Sequence, residues 1–209
     1  MDANTVYLLD DEPGMRKALS RLLRAEGFAV HACATPQEFL KAYRSDIPSC
    51  LVLDVAMPDF DGLEVQAKLR SEGNLIPIIF LTGRGDIPTS VRAIKSGAVD
   101  FLTKPVNDTD LLRAVNAALS TAREQLSQIA GSAALATRAA SLTPKEREVM
   151  QHVVAGKLNK QIAAELGTSE QNIKIHRGRV MQKMEVQSVA DLVRACEKLP
   201  EERRPPRSM

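Results

Sequence analysis

Aromatic side chains are nearly missing from this chain. They make up 3% of its 209 residues, and there is no tryptophan. A core built on large rings is excluded, so leucine, isoleucine, valine and alanine must fill the interior. Cysteine is equally scarce. Cys33, Cys50 and Cys196 are scattered, odd in number and without a CxxC pair. That argues against a disulfide framework and fits a reducing cytosol. Met1 is followed by Asp2 with no basic segment, and no long apolar stretch follows. Neither a signal peptide nor a transmembrane helix is expected. Net charge is close to balance at +2, but the balance is uneven along the chain. Residues 1–141 hold 15 basic and 17 acidic side chains, residues 142–209 hold 13 and 9. A basic second part points to a polyanionic partner.

What is present is an alternation. Apolar runs near 5–10, 28–32, 50–54, 77–82 and 99–102 read as strands. Amphipathic segments near 13–26, 35–44, 62–72, 87–96 and from 108 to 124 read as helices. Met15, Leu19, Leu22 and Leu23 recur at helical spacing, and Pro13 suits a first turn. Thr35 with Glu38 has the form of a capping box, and Asp108 is placed to cap the helix it opens. Strands and helices in this order imply a parallel sheet covered on both faces. The small-residue-rich stretch 125–140 is broken by Gly131-Ser132 and reads as a helix tail passing into a linker. From Ser141 the pattern is purely helical, near 144–155, 159–166, 170–184 and 188–197. The domains expected are 1–122, a helical linker 123–140, a helical unit 141–198 and a disordered tail 199–209.

Four of the strands deliver polar groups at their C-terminal ends. The first leads to Asp10-Asp11, the third ends in Asp54, the fourth in Thr82, and the fifth leads to Lys104-Pro105. In a parallel sheet those ends share one edge, where open α/β sheets place ligands. Asp11 and Asp54 offer carboxylates to Mg²⁺ (or Mn²⁺), Asp10 can orient a bound water, and the Ala56 carbonyl is a further oxygen. Asp54 can then act as a nucleophile toward a phosphoryl donor, with Lys104 and Thr82 on the transferred group. Pro105 allows a cis bond after Lys104.

Asp10-Asp11, Asp54-x-x-Met57-Pro58-x-x-x-Gly62, Thr82-Gly83 and Lys104-Pro105 resemble the receiver domain of two-component response regulators over about residues 4–122. The resemblance implies a flavodoxin-like (βα)5 fold with a five-stranded parallel sheet of order 2-1-3-4-5, an arrangement of which a receiver protein is the standard example. It implies that Asp54 accepts a phosphoryl group from a histidine kinase and that Phe101 is an aromatic switch coupled to Thr82. Ala56 and Arg84 fall where such domains tune phosphoryl lifetime, and Ala56 has no side-chain group to hold an attacking water.

In the second part, Gly156 separates the helix opened by Thr143-Pro144 from a helix-turn-helix candidate. Asn172, Lys174, Arg177, Arg179 and Lys183 run along its second helix, while Ile173, His176, Val180 and Met184 share a core-facing spacing. A recognition helix needs that division. Leu142-Thr143-x-x-Glu146, Gly156, Asn159-Lys160-x-Ile162-Ala163, Leu166, Ser169, Val180 and Met184 resemble the four-helix LuxR-type DNA-binding domain. By that resemblance Lys174, Ile175 and Gly178 read bases, and Asn159, Lys160, Arg177 and Lys183 contact phosphates. Gly178 departs from the pattern, since it brings no donor and costs about 1 kcal/mol of helix stability.

The whole chain resembles the NarL/FixJ group. This implies a cytoplasmic transcription factor that forms a homodimer when phosphorylated and then binds double-stranded DNA, with no membrane and no enzymatic role. A phosphohydrolase of the haloacid-dehalogenase type would instead carry its nucleophile at the end of the first strand, in a DxD pattern. Here that strand ends Asp10-Asp11-Glu12.

Overall fold

Parallel pairing of five apolar segments organises the first part of the chain. The computed structural model describes residues 4–83 and 97–199. Its strands are β1 (Thr5–Leu9), β2 (Ala29–Cys33), β3 (Ser49–Asp54), β4 (Ala56–Met57), β5 (Phe60–Asp61), β6 (Ile78–Thr82) and β7 (Asp100–Thr103). The main sheet has the order β2-β1-β3-β6-β7, with every neighbouring pair parallel. Its strands begin and end within one residue of the sequence expectation. The antiparallel hairpin β4-β5 was not expected, since each arm is two residues long.

Alternate residues of each strand face opposite cores. Val6, Leu8, Cys50, Val52, Ile79 and Leu81 pack on one side with Leu19, Leu23 and Leu111. Tyr7, Leu9, Leu51, Leu53, Ile78 and Phe80 pack on the other with Phe39 and Leu69. Burial on both faces is why these strands read as continuous apolar runs rather than alternating ones. Helices α1 (Pro13–Ala25), α2 (Pro36–Ala42) and α3 (Gly62–Ser71) cover them together with the helix that opens at Asp108. The helix expected at 87–96 and the residue Arg84 lie outside the described residues.

Two caps differ in detail from the sequence expectation. Thr35 Oγ1 accepts the Glu38 N–H at 3.2 Å, but the Glu38 carboxylate accepts from Ala34, one residue before the cap. The reach-back therefore fixes the incoming chain rather than closing a capping box. The next helix, α4 (Asp108–Ala140), is capped by Asn107, not Asp108: Asn107 Oδ1 accepts the N–H groups of Thr109 and Asp110 at 2.9 and 3.3 Å. Asp108 is already helical and favours the positive end of the helix dipole instead.

Helix α4 is the largest correction, because Gly131-Ser132 does not break it. One glycine costs about 1 kcal/mol. Ala130, Ala133, Ala134 and Ala136 around it are the best helix formers, and Leu135 and Ala139 are anchored in a core further on. The chain divides into two compact units, 1–127 and 128–209.

The second unit holds α5 (Pro144–Val154), α6 (Asn159–Glu165), α7 (Glu170–Met184) and α8 (Val189–Glu197). Its core joins Leu142, Val149, Met150, Ile162, Ile173, Val180, Met184 and Leu192 to Leu135 and Ala139 from the end of α4. The expected linker thus contributes core residues. Leu199, expected to open a disordered tail, is fully buried in the same core, and residues 200–209 lie outside the described residues. Thr143 and Glu146 make a reciprocal capping box, and Ser169 and Ser188 cap α7 and α8. Among the described residues no helix is long and apolar enough to cross a membrane.

Candidate functional site

The carboxyl edge of the sheet gathers the charged residues that the strands were expected to deliver. Asp10 follows β1 and is fully buried, and Asp54 ends β3 at 5% exposure. Lys104 Nζ stands 2.8 Å from Asp10 Oδ2 and 2.8 Å from Asp54 Oδ2. Asp11 is exposed, and the carboxylate oxygens of all three aspartates lie within 4.8 Å of one another. Burial pulls the Lys104 ammonium down, but the hydrogen bonds and charges of Asp10 and Asp54 outweigh it and hold it above its ordinary value.

The local chain explains these positions. Asp10 Oδ1 accepts the Glu12 N–H at 2.8 Å, an Asx turn that steers the chain into α1. Asp54 Oδ1 accepts the Ala56 N–H at 3.3 Å. The β4-β5 hairpin returns Gly62 against β3, where its N–H donates to the Val55 carbonyl at 2.9 Å. A Cβ at Gly62 would meet the Asp54 carbonyl oxygen at 2.4 Å, so only glycine allows this approach. The Lys104 N–H donates to the Thr82 carbonyl at 2.7 Å, and the Lys104-Pro105 bond is cis. Thr82 is buried at the end of β6. Phe101 is half-buried on β7, its ring 6.1 Å from that of Phe80.

Three carboxylates face one ammonium, an excess of two negative charges. The donor set is all oxygen and hard, which suits Mg²⁺ or Mn²⁺. The residues therefore fit a divalent cation. Sequence reasoning missed the double bridge of Lys104, which depends on how close β1 and β3 bring their ends to the loop after β7. It also missed Arg16, whose Nη1 donates to the Asp10 carbonyl at 2.6 Å.

In the second unit, α7 divides as its spacing required. Ile173, Val180 and Met184 are buried, and His176 is half-buried. Asn172, Lys174, Gly178 and Arg179 are exposed, and Ile175 is 45% exposed although apolar. Space beside Gly178 is open, with no atom within 4 Å of where a Cβ would lie. Lys160 on α6 is exposed, and Arg177 Nη1 donates to Asn159 Oδ1 at 3.0 Å. Lys183 differs from its neighbours on α7. Its ammonium lies 2.7 Å from the buried Glu146 carboxylate and 3.1 Å from the Ser141 carbonyl.

Comparison with known proteins agrees with both halves of this geometry. Residues 6–116 match the response regulator receiver domain, and residues 140–196 match the luxR family of bacterial regulatory proteins. The response regulator protein TodT of Pseudomonas putida is 45% identical over 94% of this chain and 87% of its own length. The transcriptional regulatory protein FixJ of Bradyrhizobium diazoefficiens is 40% identical over 90% and 92%. Among solved structures, the response regulator StyR superposes with a TM-score of 0.83 at 41% identity, covering 94% of this chain and 99% of that one. Full-length FixJ from B. japonicum gives 0.56 at 38%, covering 95% and 97%. The chain belongs to the response regulators that join a receiver domain to a LuxR-type DNA-binding domain. Proteins of this family regulate transcription and are not enzymes.

Proposed function

We propose that Asp54 is the phosphoacceptor of this transcriptional response regulator and that its modification drives dimerisation and DNA binding. The observation that carries the reading is the buried bridge of Lys104 between Asp10 and Asp54, beside the exposed carboxylate of Asp11. An Asp54 oxygen forms a bond to phosphorus as the phosphorus–nitrogen bond of a kinase phosphohistidine breaks. Asp10, Asp11, Asp54 and the Ala56 carbonyl would hold Mg²⁺ or Mn²⁺, and the cation when bound would offset the repulsion between carboxylate and phosphoryl oxygens. Lys104 then exchanges its Asp54 contact for a phosphoryl oxygen, and the Thr82 hydroxyl donates to another. The phosphoryl group adds about −1.5 to −2 charge at pH 7. Thr82 moves toward that charge and Phe101 follows it, which alters the surface carrying β7 and the start of α4.

Two output units then sit on one duplex, and the raised effective concentration multiplies a weak single-unit affinity. Helix α7 enters the major groove with Lys174, Ile175 and Gly178 toward base edges, and with Asn172 and Arg179 beside them. Asn159, Lys160 and Arg177 anchor phosphates. Lys183 was expected among these, but an ammonium held by Glu146 and Ser141 serves the fold better than a phosphate. The protein acts in the cytoplasm, where the kinase domain and the chromosome meet.

The test is labelling with a small-molecule phosphodonor and Mg²⁺, followed by mass spectrometry and size-exclusion chromatography. Wild type gains one acid-labile phosphoryl group and shifts to a dimer, while Asp54→Asn does neither. Undiminished labelling of that variant refutes the assignment.

A further inference from the structure

We propose that Arg16 is a positioning residue that holds the Asp10-Asp11 turn in its cation-binding shape. The proposal rests on the reading that Asp10, Asp11 and Asp54 hold a divalent cation. Strand β1 ends at Leu9, and the Asp10 N–H makes the last bond to β2, reaching the Cys33 carbonyl at 3.3 Å. The Asp10 carbonyl comes after that bond, at the reversal into α1, and accepts no backbone N–H among the described residues. Arg16 supplies a side-chain donor from the first turns of α1, its Nη1 at 2.6 Å. The Arg16 backbone N–H makes the first helical bond of α1, to the Glu12 carbonyl at 3.0 Å, which fixes where the side chain starts, and the guanidinium alone reaches back to the Asp10 carbonyl.

Asp11 lies between Asp10 and Glu12. Its side chain makes no hydrogen bond among the described residues, and it is exposed. Nothing but the backbone aims it. The Asp10 side chain, by contrast, is fixed at Oδ1 by Glu12 and at Oδ2 by Lys104. Arg16 thus acts on Asp11 through the peptide that precedes it. Outer contacts of this kind set metal affinity by about 10–100-fold.

Charge and position make opposite demands, which gives the test its sign. A guanidinium beside a cation site repels the cation, so removing it tightens binding if charge is all that Arg16 supplies. Removing a brace weakens binding. The experiment titrates Mg²⁺ into the full chain by calorimetry, with thermal unfolding in chelator as the control on folding. Arg16→Met is expected to bind Mg²⁺ at least tenfold more weakly than wild type, at an unfolding temperature close to wild type. Arg16→Lys, which keeps a donor, is expected to recover most of the loss. Arg16→Gln, neutral and too short to span to the carbonyl, is the second variant should the methionine variant not fold, with the same weakening expected. Equal or tighter Mg²⁺ binding in the neutral variants overturns the proposal. An absence of Mg²⁺ binding in wild type overturns the cation site itself, and the role of Arg16 with it.

Discussion

Lys104 bridges Asp10 and Asp54 at 2.8 Å on each side, so one ammonium answers two buried carboxylates. Removing it leaves both without a counter-charge, with only the Glu12 and Ala56 N–H groups on their other oxygens, and breaking a buried pair in this way costs about 3–5 kcal/mol. Lys104→Met is expected to lower the urea midpoint of the receiver transition when chelator is present. Added Mg²⁺ should restore stability more in the variant than in wild type, because the cation meets no competing ammonium. Equal midpoints without metal would show that the bridge carries no net stability.

Glu146 and Lys183 form the corresponding pair of the second unit. The Lys183 ammonium, and the Thr143 N–H behind it, hold the Glu146 carboxyl below its ordinary value of 4.5. A carboxyl lowered on folding contributes stability that is complete above its unfolded value and lost as pH falls through the folded one. The output unit should therefore lose stability on acidification into and below the ordinary glutamate range. Glu146→Gln should be less stable at neutral pH and flatter across that window. Parallel slopes for the two proteins in acid titrations of unfolding would contradict this.

Leu135 belongs to the core of the output unit, although the sequence reads it as linker. Leucine-to-alanine changes in cores cost about 2–5 kcal/mol. Leu135→Ala in the full chain is expected to lower the unfolding temperature of the output transition and leave the receiver transition in place. A fragment beginning at residue 128 should melt higher than one beginning at 141. Calorimetry resolves both. Matching melts of the two fragments would return residues 128–140 to the role of a tether.

Lys174 and Lys160 are both exposed, and they separate reading from anchoring. Lys174→Ala should cost about 1–3 kcal/mol on the preferred duplex and relax its sequence preference. Lys160→Ala should weaken all duplexes nearly equally and reduce the salt slope by about one. Competition binding at several salt concentrations, on duplexes selected from a random pool and on scrambled controls, distinguishes them. Proportional losses in both variants would make Lys174 another phosphate contact and pass base readout to Asn172, Ile175 and Arg179.

Local pattern determined a great deal here. Apolar runs ending in Asp54, Thr82 and the Asp10-Asp11 pair are visible in the sequence because a strand buried on both faces can be nothing but apolar until it emerges at the sheet edge. Thr143-Pro144 with Glu146, and Ser169 and Ser188, announce their helices because a cap acts within a few residues. Other features depend on residues far apart in the chain. The Lys104 bridge spans 94 and 50 residues to its two carboxylates, and Lys183 meets Glu146 across 37. No local spacing encodes those meetings, so Lys183 read as a free phosphate contact. Gly131 read as a break because propensity counts one residue at a time, whereas core packing of Leu135 and Ala139, further along α4, holds the helix beyond the glycine. The residue types of the site were decided by sequence alone. Which of those charges face one another was decided by the order of the sheet and the packing of the helices, since only the folded chain brings distant ends within the few ångströms over which charges and hydrogen bonds act.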